Sequence, residues 1–236
     1  MKVALKALIA VCLGAVCLFA ADDSAEEAIY RAKVAHNQGN MLEAIKQWSQ
    51  AIRINPYYAG AYANRGAAYA NAGDYNRAIM DFTQALELEP NFAAAYYNRG
   101  AARSALGETN KAIEDYTQAL KIEPNFAFAY NGRGYAYTKL GDYEKALADI
   151  NNALQLSPNS AHIYHSRGAA YAGLKEHNKA IASFDKAIDI FNKAATTDNE
   201  NLALAYCDRG KSYKSLGDLD KANADIKKAK EIDKCD

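Results

Sequence analysis

The sequence has few residues suited to covalent or metal chemistry. Its 236 residues include four Cys, four His, four Pro and one Trp. Two of the Cys, Cys12 and Cys17, fall within the first twenty positions. That distribution excludes a disulfide-framework miniprotein and a structural zinc domain. An excess of one charge is also missing: 28 Lys and Arg face 28 Asp and Glu, interspersed along the chain. A surface built for a phosphate backbone would show a basic excess or cluster, so no nucleic-acid partner is expected. No Gly-rich phosphate loop, HExxH, GxSxG or Cys-x-x-Cys is present. What remains is a chain with 50% hydrophobic and 24% charged residues, a composition that folds.

Residues 1–21 read MKVALKALIAVCLGAVCLFAA. Lys2 and Lys6 form a basic start, Ala7 to Ala20 an apolar stretch, and the polar run Asp22-Asp23-Ser24 follows. This is a signal-peptide pattern, with cleavage expected near Ala20 and Ala21. It predicts an exported protein, periplasmic or secreted. The alternative is an uncleaved anchor over residues 3–21, although Lys6 leaves the apolar stretch short of the roughly 20 residues that span a bilayer. Nothing later in the chain could span one.

An internal repeat organises the rest. The segment AYANRGAAYANAGDYNRAIMDFTQALELEPN at 61–91 returns as AYYNRGAARSALGETNKAIEDYTQALKIEPN at 95–125 and as AYNGRGYAYTKLGDYEKALADINNALQLSPN at 129–159. The offset is 34 residues each time. Tyr62, Tyr96, Tyr130 and Tyr164 keep that spacing, as do Gly66, Gly100, Gly134 and Gly168, and Pro56, Pro90, Pro124 and Pro158. The pattern resembles the tetratricopeptide repeat (TPR) family. The units run 25–58, 59–92, 93–126, 127–160, 161–194 and 203–236, with an insertion at 195–202. The resemblance implies an all-α protein: a right-handed α-solenoid of six helix-turn-helix hairpins.

Each column of the repeat has a physical reading. In Ala72-Gly73-Asp74 and Leu140-Gly141-Asp142, Gly ends the first helix and Asp caps the second. Small residues at unit positions 8, 20 and 27 (Gly66, Ala78 and Ala85) let the paired helices approach closely. Large ones at positions 4, 11 and 24 (Tyr62, Tyr69 and Phe82) fill the space between helices and toward the next unit. Pro at position 32 stops the second helix. One hairpin cannot bury both faces, so stacking supplies the core. Unit five departs from the pattern: Lys175 stands where Gly is expected and no Pro closes the unit. Its second helix is expected near 178–194, with 195–202 as a loop or helix extension. The final helix is polar enough to cap the stack.

Arg recurs at position 7 and Asp at position 23. The pairs Arg65 and Asp81, Arg99 and Asp115, Arg133 and Asp149, and Arg209 and Asp225 are expected to tie the two helices of a unit together, as a register device more than a large stability term. His162 and His165 are spaced i, i+3 on one helix, a spacing that suits a metal, but no third ligand accompanies them. No cofactor, no small-molecule substrate and no catalytic pair are expected.

The TPR resemblance also implies which residues line the concave face, at positions 2, 5, 6, 9, 12 and 13 of each first helix. Here these include Tyr30, Lys33 and Asn37 in unit one, and Asn64 and Asn71 in unit two. Tyr97 and Asn98 follow in unit three, then Phe128, Asn131, Tyr135 and Lys139 in unit four. His162 and His165 represent unit five, and Asp208, Lys211 and Lys214 unit six. Amides can hydrogen-bond a peptide backbone and aromatics can anchor it. The expected role is a non-catalytic module holding a protein or extended peptide. Self-association and a membrane-tethered adaptor are the alternatives. Cys207 and Cys235 open and close unit six. A bridge between them and two free thiols are both open readings.

Overall fold

A computed structural model describes residues 24–194 and 198–232. Residues 1–21, where the leader is expected, and Cys235 lie outside the described residues. The described residues form twelve helices and no strand. The hairpins are α1 (Ala25–Asn37) with α2 (Met41–Ile54), α3 (Ala59–Asn71) with α4 (Tyr75–Leu88), and α5 (Ala93–Ala105) with α6 (Thr109–Ile122). Then come α7 (Ala127–Leu140) with α8 (Tyr143–Leu156), α9 (Ala161–Gly173) with α10 (His177–Lys193), and α11 (Asn199–Ser215) with α12 (Leu219–Ile232). Each helix packs on its hairpin partner, and each second helix packs on the first helix of the next hairpin. The result is an α-solenoid of six hairpins.

The turn within each hairpin follows from backbone sterics. Gly39, Gly73, Gly107, Gly141 and Gly217 all adopt positive φ, which a residue without Cβ reaches without penalty. Unit five makes the same turn with Lys175 at φ 62°, the one non-glycine residue at positive φ among the described residues. The cap follows directly. The side chains of Asn40, Asp74, Asp142 and Asp218 accept from the backbone N–H three residues on, satisfying a donor that the helix cannot. Glu108 and Glu176, one methylene longer, form no such bond.

Packing between paired helices depends on the small columns. A Cβ on Gly134 would lie 2.7 Å from the Ile150 side chain and 3.1 Å from the Ala146 carbonyl. Only glycine lets α7 sit this close to α8. Trp48, Phe82, Tyr116, Ile150 and Phe184, one from each of the first five units, fill the space so created and are almost wholly buried. Apolar contacts also join neighbouring units: Ala61 lies against Ala51 and Ile52, and Ala129 against Ala119 and Leu120. Burial of this kind stabilises by about 25 cal/mol per Å² of apolar surface. At the end of the array, position 28 changes from Ile52, Leu86, Leu120 and Ile188 to Lys230, so α12 presents a polar outer face.

The insertion is more helical than a loop. α10 runs 17 residues to Lys193, and α11 begins at Asn199, so residues 199–202 form the opening turn of α11 rather than connector. Asp198 caps that turn by accepting from the Asn201 N–H. Leu202 is buried with Ile188 and Phe191, which gives the extra length its apolar support. No described helix is long and apolar enough to cross a membrane.

Candidate binding groove

The first helices of the hairpins carry the candidate groove. Within it, α5 and α7 hold an aromatic cluster. The Tyr97 ring lies 5.9 Å from Tyr116, 5.0 Å from Phe126 and 6.4 Å from Phe128, and Phe126 meets Phe128 edge-on at 6.5 Å. Phe128 is 62% exposed and Tyr135 42%. The Lys139 ammonium sits 5.0 Å from the centre of the Tyr135 ring. Tyr97 differs from these two. It is half-buried and packs into two core clusters, and burial raises its phenol above the ordinary range. Tyr97 therefore belongs to the scaffold as well as to the groove. Tyr30, 64% exposed, stands apart on α1.

Polar groups flank this cluster. Asn131 has its Oδ1 buried and without a hydrogen-bond partner. Asn98 lines a 360 Å³ cavity between α3 and α5, with Asn71, Tyr75, Phe82 and Tyr97 among its walls. Asn64 donates to the Gly60 carbonyl of its own helix and stays exposed. It lines a second cavity, of 290 Å³, with Lys33, His36, Asn37, Trp48 and Ala67. A third cavity, of 300 Å³, lies where α9 and α10 meet α11 and is lined in part by His177, Phe184, Asp208 and Lys211.

The two histidines are engaged by carboxylates across a unit boundary. His162 Nε2 lies 3.1 Å from Asp198 Oδ2, and His165 Nε2 lies 3.0 Å from Asp208 Oδ2. Burial alone would raise the Asp208 carboxyl. The bonds from His165 and Lys211 outweigh it and hold the group below its ordinary value. Among the described residues, no group of three His, Cys, Asp or Glu is placed to hold a metal.

The Arg and Asp columns meet inside each unit. Arg65 grips Asp81 with two bonds of 2.7 Å, and Arg133 grips Asp149 at 2.7 and 2.8 Å. Arg209 holds Asp225 at 2.8 and 2.6 Å, and Arg99 holds Asp115 through both Nε and Nη2. Each guanidinium also lies over the Tyr three residues before it, 5.2–5.8 Å from the ring centre. The same Arg reaches back one unit: Arg65 donates to Ser49, Arg99 to Thr83 and Arg133 to Thr117. Sequence reasoning missed this second bond, although Ser, Thr, Thr recur at position 25 with the repeat spacing. It also missed Arg103, which shares Asp115, and Asp185, which bonds Arg209. In unit five the column is weaker, since Arg167 has no carboxylate partner: it lies 4.8 Å from the centre of the Tyr164 ring and donates to Ser183 at 3.2 Å. Cys207 is buried and disulfide-bonded.

Comparison with known proteins agrees with this geometry. Tetratricopeptide repeat profiles match residues 59–92, 93–126 and 127–160, and two further TPR profiles match 32–73 and 159–234. No curated protein matches the chain. Among solved structures, a tetratricopeptide repeat protein from Parabacteroides merdae is 23% identical and superposes with a TM-score of 0.72, over 89% of this chain and 80% of its own. MamA from Desulfovibrio magneticus RS-1 is 23% identical with a TM-score of 0.61, over 74% of this chain and 94% of its own. YrrB, described as a TPR protein with an unusual peptide-binding site, is 23% identical with a TM-score of 0.58, over 72% of this chain and 88% of its own. At these identities the likeness shows the fold alone. The family profiles span nearly all of the described array, and on that ground the chain belongs to the tetratricopeptide repeat family.

Proposed function

We propose that this chain is a non-catalytic binding scaffold that holds an extended peptide or partner segment in its concave face, after export from the cytoplasm. The observation that carries the binding reading is the exposure of Phe128 and Tyr135 beside Asn131. Two large apolar rings stand in solvent next to an amide oxygen that has nothing to accept from. Buried polar groups are normally paired, and aromatic anchors are where binding energy concentrates. The description of YrrB as a peptide-binding TPR protein supports the same class of ligand. Export is supported by the leader pattern of residues 1–21 alone.

A cross-linking pull-down from the native compartment tests the binding reading, with Phe128→Ala/Tyr135→Ala as control. A partner captured by the wild type and lost in the double variant supports the groove. A partner retained by both moves the site to another face. The intact mass of the natively expressed protein tests export processing: a mass without residues 1–21 supports cleavage, and a full-length mass favours the retained anchor.

A further inference from the structure

Unit one keeps the cation of the Arg column and loses its partners. In units two, three, four and six the guanidinium at position 7 holds the Asp at position 23 and lies over the Tyr at position 4. Unit one has Arg31 at position 7, but Ala28 and Gln47 stand at the other two places. No described hairpin precedes it, so the Ser or Thr that Arg65, Arg99 and Arg133 reach in the unit before is missing as well. Arg31 makes one hydrogen bond, from Nε to Glu27 Oε1 on its own helix, at 2.7 Å. Its two terminal nitrogens have no hydrogen-bond partner among the described residues.

The surroundings of Arg31 add positive charge where the other units hold a carboxylate. A recess of 170 Å³ between α1 and α2 is lined by Arg31, Lys46, Gln47, Gln50 and Arg53. The Gln50 side-chain oxygen accepts from Arg53, and the Gln47 amide donates to Glu43 at 2.6 Å. Lys46 is 74% exposed, and its nearest acid is Glu43, 3.6 Å away. No carboxylate lines the recess. Glu27 and Glu43 reach Arg31 and Lys46 from outside it, so three cations face two acids and the balance stays positive. None of the five lining residues occupies a groove position, which separates this recess from the concave face.

An anion from outside the chain would match Arg31 as Asp matches its counterparts. A carboxylate offers two oxygens, the number that one guanidinium takes in the other units. Three cations on separate side chains are better met by a terminal phosphoryl group, which carries three free oxygens and a charge of about −1.5 to −2 near pH 7. A phosphodiester in a bilayer surface offers only two free oxygens. The recess is smaller than the pockets of about 300 Å³ and above that enclose whole ligands, and no apolar or aromatic side chain lines it. It therefore suits the phosphoryl group alone, with the carrier left in solvent. We infer that unit one binds the terminal phosphoryl group of a soluble phosphate monoester in the slot that Asp fills elsewhere, with Arg31, Lys46 and Arg53 as donors. This site is independent of the groove and of the binding role proposed for it.

The test titrates the full chain with glycerol 3-phosphate in low-salt buffer and reads binding from the phosphorus relaxation rate by NMR. The expected result is saturable binding with a dissociation constant of about 1 mM, weakening as salt rises because the site is open to solvent. Glycerate, which presents a carboxylate on a similar carrier, should compete at least about fivefold more weakly. Gln47→Asp supplies the acid that four other units carry. It should weaken phosphate binding by about tenfold or more while leaving the melting temperature unchanged or higher. Arg31→Gln should weaken binding as well, and Lys228→Gln on the last helix should not. Equal competition by glycerate, full binding in Gln47→Asp, or an equal loss in Lys228→Gln would each overturn the inference, as would the absence of saturation. Vesicles containing phosphatidic acid or phosphatidylglycerol supply a second arm. Vesicle binding that Gln47→Asp abolishes, with glycerol 3-phosphate left unbound, would place the ligand in a membrane and overturn the soluble assignment.

Discussion

Arg99 and Asp115 form the most buried of the interhelical ion pairs, with Asp115 only 2% exposed and Nη2 donating to Oδ1 at 2.7 Å. Arg103 donates to the other carboxylate oxygen at 2.8 Å. One acid thus serves two cations, because Arg103 occupies the column that holds Tyr69, Tyr137, Tyr171 and Tyr213 elsewhere. Removing Asp115 leaves two half-buried guanidinium groups without a carboxylate. Asp115→Ala should destabilise by about 3 kcal/mol or more, and by more than Asp149→Ala, which strands one Arg. A double-mutant cycle on Arg99 and Asp115 by urea denaturation checks it. Zero coupling energy would refute the pairing.

Lys175 holds a left-handed backbone that its counterparts assign to Gly. A side chain in that region costs about 1–2 kcal/mol relative to glycine, part of which returns through the freer unfolded chain. Lys175→Gly should therefore raise the melting temperature slightly, by an amount worth about 0.5–1 kcal/mol. Gly141→Lys should lower it. A calorimetric scan that shows the reverse order would contradict the turn geometry.

Phe128 and Tyr135 stand in solvent, so truncating them should cost the fold little. Phe128→Ala with Tyr135→Ala should leave helicity and melting nearly unchanged while partner affinity falls, each truncation being worth about 2 kcal/mol or more at a hot spot. Tyr97→Ala should behave differently. Its ring packs on Tyr116 and Phe126, so melting should drop along with binding. Parallel circular dichroism and affinity measurements separate the two classes.

Acid should loosen the array through its caps. Hydrogen bonds from the Arg77 backbone and side chain hold the Asp74 carboxyl below its ordinary value of 3.8. Bonds from Lys145 do the same for Asp142, and bonds from Lys221 for Asp218. A carboxyl whose folded value lies below its unfolded value stabilises the fold above the unfolded value, and that stability is lost as pH falls through the folded value. Melting should therefore be flat from pH 7 to about 5 and decline below about 4. Replacing Asp74, Asp142 and Asp218 with Asn keeps a capping oxygen but removes the titration. The triple variant should show a shallower acid decline. An identical pH profile would show that the caps do not contribute.

Cys207 is disulfide-bonded, and the partner expected from the sequence is Cys235, at the far end of the same unit. Such a bridge would close a loop of about 28 residues, worth roughly 3–4 kcal/mol in the chain-entropy model. Thiol labelling of non-reduced protein under denaturing conditions should find neither Cys207 nor Cys235 reactive. Labelling at both would rule the bridge out.

Much of this architecture was legible because each structural demand repeats at a fixed spacing. The Gly column marks where α7 meets α8, and the Arg and Asp columns mark a contact sixteen residues apart in sequence. The illegible parts are those without periodic repetition. The helical turn at 199–202 is polar in composition, and its reason to fold is Leu202 reaching Ile188 and Phe191, a contact no spacing rule encodes. The His165 and Asp208 pair crosses the insertion, 43 residues apart, out of phase with the repeat. Tyr97 falls on a groove position, yet its packing depends on Phe126 at the inter-unit turn. The cavities arise only when neighbouring first helices are set side by side.

The thinning of the Arg column at Arg167 divides the array in a way that a uniform stack would not be divided. Arg65, Arg99 and Arg133 each bond the preceding unit, while Arg167 bonds only Ser183 within its own. Across that boundary Ile150 and Ala153 still pack on Ile163, but no guanidinium staples the two sides. Beyond it, Arg209 bonds Asp185 of the unit before, and the two histidines clasp α9 to α11. Because a linear array propagates order only from neighbour to neighbour, its cooperativity breaks at the weakest joint. The four hairpins before this joint and the two after it are therefore expected to open as separate units, and amide exchange with protection stepping down near Ser157 would show it. A ligand lying across both blocks would tie them into one cooperative unit.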